Sequence, residues 1–161
     1  MKKIIGIGLL CAAAGLCVSA LRKKQQAEQK PLYLTGSVVP NPDKKAILVV
    51  SFGTSYADTR EKTIGAIEED FRRAFPDYTV RRAFTSGMII KKLRERDGIE
   101  IDTVDEALDK LYKSGYTDIF CVPTHIMCGI EYDKACRMIE KFNDKMKIRI
   151  SRPLVTETID Y

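Results

Sequence analysis

A chain of 161 residues suits one domain with a tail rather than two full domains. Hydrophobic side chains make up 45% and charged ones 30%, enough apolar material for a core. The net charge of +5 is modest and partly concentrated near the start, in Lys2-Lys3 and Arg22-Lys23-Lys24, with no basic stripe interleaved with aromatics, so no nucleic-acid partner is expected.

The first segment reads as an address rather than as part of a fold. Lys2-Lys3 precede an apolar stretch from Ile4 to Val18 that ends in Val18-Ser19-Ala20, a basic start, apolar middle and small-residue close. Residues 1–20 are therefore expected to be a signal peptide or, since the stretch approaches the roughly 17–25 residues of a membrane span, a membrane anchor. Either way the protein is expected to be exported, periplasmic or anchored outside the cytoplasm. Cys11 and Cys17 do not follow a lipidation box. Residues 21–43, polar at first and then carrying Pro31, Pro40 and Pro42, read as a linker.

The domain is expected from residue 44 onward. Ala46–Ser51 forms an apolar, largely β-branched run without alternation, the signature of a strand buried on both faces. A helix follows, with Asp58 as the N-cap, Ile64, Ile67, Phe71 and Phe75 as its inward stripe, and Glu68, Glu69, Arg72 and Arg73 toward water. Thr79–Phe84 reads as a second strand, and Ser86 as the cap of a short helix stopped at Asp97-Gly98. Thr103-Val104-Asp105-Glu106 is a capping box opening a helix that closes at Gly115. Asp118–Pro123 is a third, continuously apolar strand. Tyr132–Phe142 is a helix with Ala135, Met138 and Ile139 inward, and Lys147–Ser151 a fourth strand. The β-α-β-α-α-β-α-β order predicts an α/β fold, an open parallel four-stranded sheet flanked by helices.

Ligands of such sheets gather beyond the carboxyl ends of the strands. Three clusters fall there: Ser51-Phe52-Gly53-Thr54-Ser55, Thr85-Ser86-Gly87-Met88, and His125 to Glu131. Nucleotide signals are absent, with neither GxGxxG nor a Gly-Lys-Ser/Thr loop, and no nucleotide cofactor is expected. A Gly-x-Ser-x-Gly elbow is missing as well. In the third cluster an imidazole and a carboxylate flank Cys128-Gly129, where glycine permits tight backbone geometry; such a pair holds a borderline divalent metal or moves protons. The blander alternatives are a strand-end histidine bonded to backbone, a helix-N-terminal carboxylate at Glu131, a helix cap at Ser86 and a tight turn at Ser51–Ser55. Of the cysteines in the folded part, Cys121 reads as a core residue, and Cys128 and Cys136 match no zinc spacing.

Taken together, LVVSFGTSYADTREKTI, RAFTSGMIIKKLRERDGIEIDTVDEAL and THIMCGIEYDK resemble the sirohydrochlorin cobaltochelatases of the CbiK type, the anaerobic-pathway cobalt chelatases of cobalamin biosynthesis. The resemblance runs from about Lys45 to the C-terminus. It implies a two-lobed chelatase that binds a tetrapyrrole, sirohydrochlorin, between its lobes and inserts cobalt as Co2+, a lyase reaction releasing two protons. By the same resemblance Glu131 is the metal-binding carboxylate and His125 lines the cleft as a catalytic and metal-binding partner. From their position alone, Ser51, Phe52, Gly53, Thr54, Ser55, Ser86, Gly87 and Met88 would then contact the macrocycle or its carboxylates. The family's metal-binding histidines lie in the second lobe, so residues 44–161 are expected to be the N-terminal lobe, with a truncated record, a split gene or a homo-oligomer of half-length chains as the readings of the missing part. The alternative function is an exported tetrapyrrole- or metal-binding module without chelatase activity.

Overall fold

The computed structural model describes residues 41–156. The expected export segment, residues 1–20, and nearly all of the expected linker lie outside the described residues.

Four strands, β1 (Asn41–Ser51), β2 (Tyr78–Phe84), β3 (Tyr116–Pro123) and β4 (Lys147–Ile150), form one parallel sheet in the order β2-β1-β3-β4. β1 is central, and Ala46 to Val50 are all at most 2% exposed, as a two-face-buried run requires. Its side chains alternate between the two sides. Ala46, Leu48 and Val50 join Ile119 and Cys121 under two helices, α3 (Val104–Lys113) and α4 (Ile130–Glu140). Beyond the other end of β2, Phe84 packs with Ile64, Ile90 and Leu93, drawing in α1 (the helical stretch from Ala57 to Ala74) and α2 (Gly87–Asp97). Burying each of the large aliphatic side chains here contributes roughly 1.5–3 kcal/mol.

The strand order has a functional consequence. The chain steps from β1 to β2 in one direction and returns across β1 to reach β3, so the strand order reverses between β1 and β3. At such a switch point the loops at the carboxyl ends part and leave a crevice. Register places the ends together: Ser51 pairs with Phe84, and Val50 with Pro123. All three sequence clusters therefore share one rim.

Local signals were realised in several places. Thr103 and Glu106 form a reciprocal capping box, Ser86 accepts from the Ile89 amide, and Gly98 (φ 64°) and Gly115 (φ 83°) end their helices in the left-handed region. Other expectations are corrected. β1 starts at Asn41, inside the expected linker of residues 21–43, because the Asn41 amide donates to the Gly115 carbonyl at 3.0 Å and Lys44 Nζ to the Ser114 carbonyl at 2.9 Å. β3 is buried on one side only, with Phe120 and Val122 half-buried, since α3 and α4 cover the opposite face.

α1 departs most from expectation. It consists of Ala57–Arg60, a π-helical turn over Glu61–Gly65, and Ala66–Ala74. Asp58 is not its cap; it lies within the first turn and pairs with Lys62 at 2.9 Å. The widened turn changes which side faces inward. Ile64 is buried, but Ile67 and Phe75 are exposed, and Glu68, expected in water, is 4% exposed. Arg82 of β2 is the reason: its Nε and Nη2 donate to the two carboxylate oxygens of Glu68 at 2.5 and 2.8 Å. A bidentate guanidinium satisfies both oxygens of a buried carboxylate.

Candidate functional site

The rim is built on a hydrogen-bonded frame. The Thr85 amide donates to the Ser51 carbonyl and the Thr124 amide to the Val50 carbonyl, each at 2.9 Å, joining the loops that leave β2 and β3 to β1. Thr124 Oγ1 donates to Ser51 Oγ at 2.9 Å. Ser51 is buried, so its hydroxyl serves this frame rather than the rim surface. In the same loop the Thr54 carbonyl receives Arg60, the buried Ser55 offers its carbonyl to Arg96, and Thr54 Oγ1 accepts the Tyr56 amide. Ser86 caps α2. Of the residues expected to meet a macrocycle, Ser51, Ser55 and Ser86 are thus frame, Gly53 and Thr54 are half-buried, and Phe52, Gly87 and Met88 face outward.

Gly53 carries the conformational demand of this rim. Its φ is 97°, and a Cβ there would lie 2.5 Å from the Phe84 ring. Gly129, expected to provide tight geometry, does not: its φ of 175° is extended backbone, and a Cβ would meet nothing within 4 Å.

His125 leaves β3 and Glu131 opens α4, and the two line one open depression with Ile126, Met127, Gly129, Ile130 and Tyr132. The ordinary reading of a strand-end histidine, bonded to backbone, fails. Both ring nitrogens of His125 are buried and neither has a hydrogen-bond partner. The ring meets the edge of Tyr132, centroids 6.2 Å apart at 76°. Burial lowers the His125 pKa below the ordinary imidazole value, while the charge of Glu131 pulls it the other way. Burial thus favours the neutral imidazole, the form that binds metal or accepts a proton. Tyr132, whose hydroxyl donates to the Ser151 carbonyl at 3.2 Å, is pushed up to about 12, foremost by burial.

Glu131 sits in the first turn of α4, where the helix dipole favours a carboxylate. Thr85 Oγ1 donates to its Oε2 at 3.5 Å and Lys134 Nζ lies 3.9 Å from the same oxygen. Lys134 Nζ also donates to the Thr85 carbonyl at 3.3 Å, tying the second cluster to the third. The sequence placed Thr85 in the second cluster without indicating its bond to Glu131, and Lys134 in none of the three. The i,i+3 spacing of Glu131 and Lys134 on one helix was the signal for the latter.

Among the described residues no group of three or more His, Cys, Asp or Glu side chains could hold a metal ion; of those residue types, His125 and Glu131 line this depression. The cysteines add none. Cys121 is buried with its thiol pushed up to about 12 by burial, Cys136 is raised for the same reason, and Cys128 is exposed; all three are free. Apolar side chains crowd the rim's surface instead: Phe52, Tyr56, Met88, Ile126, Met127 and Ile130 are all exposed. Such a concentration marks a binding surface. A more enclosed cavity of about 330 Å³ lies between β2 and α3, where Arg82 is paired with Glu68 and Lys110 with Asp102.

Comparison with known proteins agrees with this geometry. Residues 45–160 match the family model described as cobalt chelatase (CbiK). The chain is 50% identical over 119 residues to a sirohydrochlorin cobaltochelatase of Salmonella typhimurium, covering 73% of this chain and 45% of that protein. It is 35% identical over 89 residues to the sirohydrochlorin cobaltochelatase CbiKC of Nitratidesulfovibrio vulgaris, covering 55% of this chain and 31% of the relative. The chain thus spans less than half the length of these curated relatives. By the extent of the family match, and with the parallel α/β sheet described above, the chain belongs to the cobalt chelatase (CbiK) family.

Proposed function

We propose that this chain supplies one wall of a sirohydrochlorin cobaltochelatase site, at which Co2+ enters the tetrapyrrole and two pyrrole N–H protons leave. The observation that carries the reading is that His125, whose ring nitrogens have no hydrogen-bond partner, and Glu131 line one depression on an apolar rim. A tetrapyrrole presents a flat apolar face, which the exposed Met88, Ile126 and Ile130 suit. Cobalt takes imidazole and carboxylate donors readily, as do iron and nickel. Glu131 would hold the incoming ion by charge, and His125 would ligate it or accept a pyrrole proton. We also read the chain as exported, on the basic Lys2-Lys3 start and the apolar Ile4–Val18 stretch.

A second reading, a tetrapyrrole- or metal-binding module without insertion activity, is favoured by the lack, among the described residues, of a group of three or more His, Cys, Asp or Glu side chains that could hold a metal ion. Binding to the rim is common to both readings and is tested by titrating sirohydrochlorin into the full chain and following its absorbance. Met88→Glu and Ile130→Glu lie at exposed positions and leave the circular dichroism spectrum unchanged, yet each weakens tetrapyrrole binding by about tenfold, the cost of opposing an apolar surface with a charge. Equal affinity in the wild type and both variants would place the tetrapyrrole elsewhere.

A further inference from the structure

Lys134 and Glu131 are in contact at this rim. Lys134 lies one helical turn beyond Glu131, and its Nζ stands 3.9 Å from Glu131 Oε2 while donating to the Thr85 carbonyl at 3.3 Å. Thr85 Oγ1 addresses the same Glu131 oxygen. The lysine is therefore not a solvated charge that happens to lie near an acid. The Thr85 carbonyl, just beyond β2, also holds it beside that carboxylate.

A dication arriving at Glu131 alone meets this ammonium and must displace it. The Lys134 side chain is 46% exposed, so a partner arriving from solvent can reach it. The substrate proposed above carries carboxylate side chains, each a stronger partner for an ammonium than a half-exposed pair offers.

We infer that Lys134 is a positioning residue that pairs with Glu131 in the empty site and transfers to a carboxylate of the bound tetrapyrrole, freeing Glu131 for the metal only once the macrocycle is in place. This rests on the reading of Glu131 as the metal-holding carboxylate. It makes tetrapyrrole binding and metal binding mutually favourable, since each is strengthened when the other removes its competitor.

The test measures Co2+ binding to the full chain by isothermal titration without tetrapyrrole, and sirohydrochlorin binding by absorbance without metal. Lys134→Gln tightens binding of Co2+ alone by about threefold, the range of a half-exposed ion pair, and loosens sirohydrochlorin. Lys134→Arg, which keeps the charge, restores both affinities toward the wild type. Glu131→Gln weakens Co2+ binding and serves as the reference. Unchanged or weaker Co2+ binding in Lys134→Gln, with Glu131→Gln still weakened, overturns the role of Lys134 alone. Wild-type Co2+ affinity in Glu131→Gln overturns the metal assignment of Glu131, and the ordering role with it.

Discussion

The Phe84 ring occupies the space where a side chain on Gly53 would begin, 2.5 Å from an ideal Cβ. Phe84 is wholly buried at the end of β2, and Gly53 turns with φ 97° just beyond β1. The shape of the rim at the switch point is thus set by a glycine packed on an aromatic ring. Gly53→Ala introduces both a clash and an unfavourable backbone conformation, and is expected to cost about 2–4 kcal/mol in denaturant unfolding. Phe84→Ala opens a cavity and costs about 3–5 kcal/mol. The double variant is expected to lose less than the sum, since the clash vanishes with the ring. Strict additivity would mean that the two residues do not compete for the same space.

Glu68 and Arg82 form the other relationship on which this side of the fold depends. Glu68→Ala leaves the Arg82 guanidinium half-buried without its bidentate partner and is expected to destabilise the protein by about 2–3 kcal/mol in urea unfolding. Replacing both residues, as Glu68→Leu with Arg82→Met, is expected to recover most of that loss, because no charge is then stranded. A double variant as unstable as Glu68→Ala would show that the pair does more than satisfy itself.

The capping box gives stability a pH dependence of definite sign. Glu106 accepts the Thr103 amide at 2.8 Å and its hydroxyl at 3.0 Å, and the backbone bond above all holds its carboxyl below the usual carboxylate range. A folded-state pKa below the unfolded one means that the unfolded chain binds the proton more readily. The contribution is therefore full above the unfolded value of about 4.3 and is lost as pH falls through the lower folded value. Urea midpoints of the wild type and Glu106→Gln should differ by about 0.5 kcal/mol at pH 7 and converge as pH falls below about 4. A gap that stays constant with pH would remove the carboxylate from the explanation.

What the sequence revealed, and what it hid, follows from the range of each interaction. The buried run Ala46–Val50, the Thr103-Glu106 box and the terminal Gly98 and Gly115 are decided by neighbours within a few residues, and each was legible. The facing of α1 was not. It depends on a π-helical turn and on Arg82, a partner from another element, 14 residues from Glu68. At the rim, His125 and Glu131 stood out by residue type and by family resemblance. That both nitrogens of His125 lack partners is a fact of packing, and Thr85 reaches Glu131 across 46 residues of chain. Gly129 looked like the special glycine because it stands beside the chemistry, whereas the demand falls on Gly53, where the aromatic ring is.

Cobalt insertion into sirohydrochlorin by the full chain, followed by the absorbance change and compared with Glu131→Ala, tests the central claim most directly. Insertion supported by the wild-type chain is expected to fall at least about tenfold in Glu131→Ala, with tetrapyrrole binding retained, because the carboxylate acts on the metal rather than on the macrocycle. Insertion at the same rate in both proteins, or tetrapyrrole binding lost with Glu131, would contradict that role.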